Sequence, residues 1–181
     1  MEVWKNFEQN IVTHSAAHHL MTISFLLEEK GYARVTDVAR NLGITRGSVS
    51  ITLKALKEKG YVREDENKFL GLTEKGRHLS HSIQSMRKIL IKFMKDVLQV
   101  EAHQAEIDAC KIEHLVSTAT GEKLLTFLRY LLSEDTEAKS FLKSYWGSED
   151  FCQGATEECS ICETECLMDT DGVEKRQTKT T

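Results

Sequence analysis

The sequence predicts a mainly α-helical protein in which two short helices and a hairpin near the N-terminus are followed by longer helices. Three observations predict it. Apolar residues recur at spacings of three and four over much of the chain, the period of a helix with one buried face. The 181 residues include no proline, which fits a mainly helical chain with few rigid turns. Two short segments, YVRED and KFLGLTE, alternate in the manner of strands around the turn-forming Asp65, Glu66 and Asn67.

Residues 8–30 read as a first helix, with Ile11, Ala16, Leu20, Ile23, Leu26 and Leu27 on one side and Gly31 closing it. Thr36 is the expected cap of a short second helix facing inward through Val38, Ala39 and Leu42, and Gly43 breaks it. Thr45 caps a third, whose stripe is Val49, Leu53 and Leu56 and which Gly60 ends. Helix, turn, helix and hairpin in that order make a winged helix-turn-helix. From Thr73 a long helix is expected to about Leu98, carrying Leu79, Ile83, Met86, Leu90, Phe93 and Val97. Another covers roughly Ala102 to Ser117, and GEKLLTFLRYLLSE forms the next after a STAT break. Past Trp146 the periodicity fails, and the last dozen residues read as disordered.

A composition of 40% hydrophobic and 29% charged residues is that of a chain with a folded core. There is no run of eighteen apolar residues, and MEVWKNFEQN lacks the basic-then-apolar order of an export signal. A cytoplasmic protein with no membrane partner is expected. Five cysteines, an odd number, then favour thiols as ligands or redox groups over a disulfide framework.

The net charge of −4 hides an asymmetry, because residues 34–96 hold fourteen Lys or Arg against seven Asp or Glu. A basic segment inside an acidic chain suits a polyanion, since lysine and arginine displace counterions from phosphates. On the second helix of the helix-turn-helix, Thr45, Arg46, Gly47, Ser48, Ser50, Ile51 and Lys54 lie off the apolar stripe. Small hydroxyl side chains and a positive helix end suit close approach to double-stranded DNA, and Ile51 suits a thymine methyl. Arg63 and Lys68 on the hairpin fit the flanking backbone.

IDACKIEHLV places Cys110, Glu113 and His114 at helical spacing, so that sulfur, oxygen and nitrogen share a face. THSAAHHLM offers His14, His18, His19 and Met21, with His14 and His18 four apart. A divalent-metal site and a core helix carrying a small thiol both fit these spacings.

LLEEKGYARVTDVARNLGITRGSVSITLKALKEKGYV, LTEKG and ACKIEHLVS, in that order and separation, resemble the diphtheria-toxin-repressor and manganese-transport-regulator family. The resemblance covers roughly residues 15–145. It implies a homodimer whose winged helix-turn-helix DNA-binding domain is followed by an all-helical dimerisation and metal-binding domain, with Fe2+ or Mn2+ promoting operator binding. It places metal ligands on His18, Cys110, Glu113 and His114, with Met21 at a further position used in the manganese branch. It also implies a division into 1–75 and 76–147; outside it, the sequence itself gives a cysteine-rich segment 148–170 and a tail 171–181. Where the family has a histidine serving a second metal this chain has Arg87, and one turn later Ile91, neither able to bind a cation. The Arg87 guanidinium is therefore expected to stand as a permanent positive charge near Glu113 or Cys110. The softness of the implied ligand set favours Fe2+ over Mn2+, with Co2+ and Zn2+ also compatible. The expected function is an iron-responsive repressor reading a palindromic operator.

Beyond that resemblance, Cys152, Cys159, Cys162 and Cys166 follow C-x6-C-x2-C-x3-C, a ligand count that suits an iron–sulfur cluster or Zn2+. No glycine-rich phosphate loop or nucleophile context supports an enzyme. The other regulatory reading is a winged-helix protein of the MarR kind that senses through the tail thiols.

Overall fold

The computed structural model describes residues 12–148. Residues up to Ser133 belong to one compact unit, and Glu134 onward to a second. Helix α1, His14–Lys30, starts where the Thr13 hydroxyl accepts from the Ala16 amide and ends at Gly31, whose left-handed φ of 74° suits glycine. Helix α2 spans Val35–Leu42 and α3 Arg46–Glu58, and Thr45 caps α3 by accepting from the Ser48 amide.

The expected Thr36 cap is corrected to Arg34, which is extended and makes no side-chain cap bond. The cause is a β-bridge of Ala33 to Leu70, which keeps the chain extended until just before α2. The guanidinium of Arg34 instead lies 4.3 Å from the centre of the Phe69 ring, tying this loop to the hairpin.

Strands β1, Val62–Glu64, and β2, Leu70–Leu72, pair antiparallel with Val62 opposite Leu72 and Glu64 opposite Leu70. Asp65 shapes the turn between them, its Oδ1 accepting from the amides of Asn67 at 2.9 Å and Phe69 at 2.8 Å. Asp65→Ala should therefore lower stability by about 1 kcal/mol for the lost turn bonds, measured by denaturant unfolding.

Helix α4, Glu74–Lys92, runs into a π-helical turn, Phe93–Val97, instead of continuing as regular helix to Leu98. Its Ile83 joins the apolar core formed by α1, α2, α3 and the hairpin, while Met86 and Leu90 pack in a second cluster with Ala109. One long helix thus serves both cores, and Arg87 sits on the segment between Met86 and Leu90.

Helix α5 is Ala102–Ile112 and α6 is Thr118–Leu131. Two expectations are corrected here. Helix α5 stops at Ile112 rather than near Ser117, leaving Glu113 as its cap and His114 in the following turn. STAT is not a break, because the Ser117 hydroxyl accepts from the Thr120 amide and starts α6 at Thr118. In the second unit α7, Thr136–Trp146, is capped by Asp135, whose carboxylate accepts from the amides of Glu137 and Ala138. No helix among the described residues is long and apolar enough to cross a membrane.

Candidate metal centre and DNA-facing surface

Helix α1 is two-sided in a way that matters for function. Ala17, Leu20 and Ile23 are fully buried in the core shared with α2 and α3, whereas His14 is exposed and His18 half-buried. His18 Nε2 lies 3.2 Å from Cys110 Sγ on α5, across 92 residues of sequence. His14 Nε2 lies 4.0 Å from the same sulfur. These nitrogens and the sulfur fall within 4.8 Å of one another. Nitrogen and sulfur donors about 2.0–2.3 Å from a tetrahedral ion sit about 3.5 Å apart, so this spacing fits one cation.

His114 lies beside this cluster, its ring centre 5.1 Å from that of His14, and its buried Nδ1 has no hydrogen-bond partner. Burial, and then neighbouring His14, hold the pKa of both His18 and His114 below the ordinary imidazole value; the charge of Arg87 adds to this at His18. Neutral imidazoles offer the lone pair that a metal needs. Buried, unpartnered nitrogen beside convergent nitrogen and sulfur donors fits a soft or borderline divalent ion such as Fe2+, Co2+ or Zn2+.

Glu113 differs from the other expected ligands. It is 2% exposed, and its Oε2 accepts from Arg87 Nη1 at 3.4 Å, while Oε1 is buried without a partner. Burial pushes its pKa up and the Arg87 charge opposes that rise. Arg87 thus lies beside Glu113, one of the two neighbours expected for it. Met21 is half-buried and packs against the N-terminal core. His14, absent from the family-based ligand set, also lies in this cluster, and its signal in the sequence is the four-residue step to His18.

The DNA candidates form a separate surface. Thr45, Arg46, Gly47, Ser48, Ser50, Ile51 and Lys54 are all exposed, as are Arg63 and Lys68 on the hairpin. Ile51 is 76% exposed, a bare apolar side chain on a polar helix face. A Cβ on Gly47 would have only the Thr45 hydroxyl within 4 Å, so the start of α3 is open to a phosphate. The Thr45 and Ser48 hydroxyls bond each other at 2.9 Å, and Ser50 donates to the Arg46 carbonyl. Cys152, Cys159, Cys162 and Cys166 lie outside the described residues.

Residues 12–70 match the iron dependent repressor N-terminal DNA binding domain, and residues 73–139 the iron dependent repressor metal binding and dimerisation domain. The HTH-type transcriptional regulator MntR of Bacillus subtilis is 29% identical over 134 residues, 74% of this chain and 93% of that protein. Its counterpart in Bacillus velezensis is 28% identical with the same coverage. Among solved structures the manganese regulator SloR superposes with a TM-score of 0.58 at 26% identity, over 64% of this chain. The chain spans about half, 54%, of SloR. The two MntR proteins are transcriptional regulators and SloR is a manganese regulator. Matched by both family models, this chain belongs to the diphtheria-toxin-repressor and manganese-transport-regulator family of metal-dependent transcriptional regulators.

Proposed function

We propose that this chain is a homodimeric, iron-responsive repressor that grips a palindromic operator when a divalent cation joins α1 to the end of α5. The observation that carries the reading is the approach of His18 Nε2 to Cys110 Sγ at 3.2 Å. The cation supplies a bond between segments that otherwise meet through weak polar contacts. His14 and His18 lie on the helix whose other face is buried with α2 and α3, so fixing them to Cys110 and His114 fixes the orientation of α3. Two α3 helices held at a set distance by a dimer read two half-sites of a palindrome. The cation can shift this equilibrium only by its differential affinity for the DNA-competent arrangement.

Residues 1–75 would carry DNA binding and 76–147 dimerisation and metal binding, and the aromatics Phe127 and Tyr130, 45% and 47% exposed on α6, supply apolar surface suited to a second copy. The metal-binding domain matched over residues 73–139 supports metal sensing over the MarR-like alternative. Fe2+ is the first expectation from the soft donor set, although named relatives are manganese regulators. For the four tail cysteines, spacing alone supports an iron–sulfur cluster or Zn2+, which an anaerobic absorption spectrum with metal analysis distinguishes.

The test is selection from a randomised duplex pool under anaerobic conditions with Fe2+, followed by chelator. Palindromic sequences should be enriched and released by the chelator; retention in chelator overturns the metal-dependent reading. On a selected duplex, Arg46→Ala should weaken binding similarly on all sequences and reduce the slope of log affinity against log salt by about 1.

A further inference from the structure

We propose that Arg87 determines the metal specificity of the centre: by holding the Glu113 carboxylate it leaves a nitrogen and sulfur donor set, His14, His18, Cys110 and His114, that discriminates against Mn2+. The inference rests on the metal reading above and names the residue that tunes it.

The Glu113 side chain is fully enclosed, and its ion pair with Arg87 bridges α5 to the middle of α4. Among the described residues, the donors that lie within 4.8 Å of one another are His14, His18 and Cys110; neither Glu113 nor His114 is among them, and what separates these two is that a Glu113 oxygen is held by Arg87 whereas the His114 ring lies against that of His14. A buried carboxylate whose charge is already balanced by a guanidinium is a poorer donor to a second cation. Drawing it away would also take from the half-buried Arg87 side chain, 32% exposed, this ion-pair partner.

Mn2+ stands lowest in intrinsic affinity among the candidate ions and depends most on charged oxygen donors, whereas Fe2+, Co2+ and Zn2+ accept imidazole and thiolate. Neutralising the carboxylate therefore weakens Mn2+ most. The fixed positive charge of Arg87 adds repulsion that every cation feels, and only ions gaining strongly from sulfur and nitrogen overcome it.

The experiment uses the full chain with Cys152, Cys159, Cys162 and Cys166 replaced by serine in every sample, so that sulfur-to-metal absorption reports Cys110. Co2+ binding is followed by its visible and charge-transfer bands, and Mn2+ binding by the electron paramagnetic resonance of the free ion. Four chains are compared: this parent, Arg87→Gln, Glu113→Gln and the double variant, with far-ultraviolet circular dichroism on each.

Arg87→Gln is expected to raise the Mn2+ affinity relative to Co2+ by about tenfold, within the range by which partners of metal ligands tune a site. Glu113→Gln should leave the Co2+ spectrum in place and its affinity within about threefold, and the double variant should lose the Mn2+ gain, as expected of two residues acting as a pair. Should Arg87→Gln fail to fold, Glu113→Gln alone still decides: loss of the Co2+ bands in it shows that Glu113 is a ligand and overturns the proposal. An unchanged Mn2+ to Co2+ ratio in a folded Arg87→Gln chain also overturns it. Absence of Co2+ bands in the parent removes the metal reading itself, a result distinct from the other two.

Discussion

Cys110→Ser is expected to weaken binding of Co2+, Zn2+ or Fe2+ by about 100-fold, equivalent to about 2.8 kcal/mol, and to leave DNA affinity the same with metal as with chelator. The sulfur is the hub of the cluster, lying 3.2 Å from His18 Nε2 and 4.0 Å from His14 Nε2. Serine keeps the size of the side chain but replaces a soft, readily ionised donor with a hard hydroxyl, which the borderline ions bind poorly. His18→Ala should match it, and the double variant should be little worse than either, because residues sharing one cation act as a unit. DNA binding by metal-free protein should be unchanged in all three, since Cys110 is on α5 and the α3 surface is a separate one. Anaerobic titration of each chain, read by absorption and by fluorescence anisotropy of a selected duplex, checks both halves. Metal-dependent DNA binding that survives in Cys110→Ser would put the centre elsewhere.

The reason this cluster was legible in the sequence, and the reason part of it was not, are both physical. His18 and Cys110 each share a helical face with a further donor, and a four-residue step is visible without a structure. The choice between His14 and Met21 was not visible, because both lie within one turn of His18. Packing separates them: Met21 sits on the apolar core, and His14 lies beside Cys110. The end of α5 was equally hidden, since Cys110, Glu113 and His114 keep their spacing whether the helix continues or turns after Ile112. The Glu113 amide still bonds the Ala109 carbonyl, so the helical geometry that placed Glu113 persists through the cap.

Elsewhere the same contrast holds. The stripe Val49, Leu53 and Leu56 is buried and every expected DNA-facing residue of α3 is exposed, because that helix has a single buried side and strong end signals at Thr45 and Gly60. Helix α7 is not among the expected elements although Ala138, Phe141, Leu142, Tyr145 and Trp146 recur at steps of three and four; of these only Ala138 and Leu142 are buried. For Arg87 the sequence leaves two neighbours open, Glu113 and Cys110, and the packing of α4 against α5 places it on Glu113.

Gly76→Ala should destabilise the protein by about 3 kcal/mol and lower its melting temperature by about 6–12 °C. A Cβ at Gly76 would run into the backbone carbonyl oxygen of Tyr61, where α4 passes the start of the hairpin. That carbonyl is already engaged, accepting from the Thr73 amide at 3.0 Å, while the Thr73 hydroxyl holds the neighbouring Gly60 carbonyl at 2.7 Å, and Tyr61 is 5% exposed. It cannot retreat without breaking that bond and displacing Val62 from its pairing with Leu72. Alanine is the better helix former by about 1 kcal/mol, so the observed loss is what remains after that gain. Gly121→Ala is the control: a Cβ there meets only the far end of the Met86 side chain, which can change rotamer, and about 1 kcal/mol is expected. Equal melting temperatures for the two variants would mean that the backbone around Tyr61 yields. A larger loss in Gly76→Ala, accompanied by weaker DNA binding at temperatures where the protein is still folded, would locate the rigid joint between wing and long helix at this one contact.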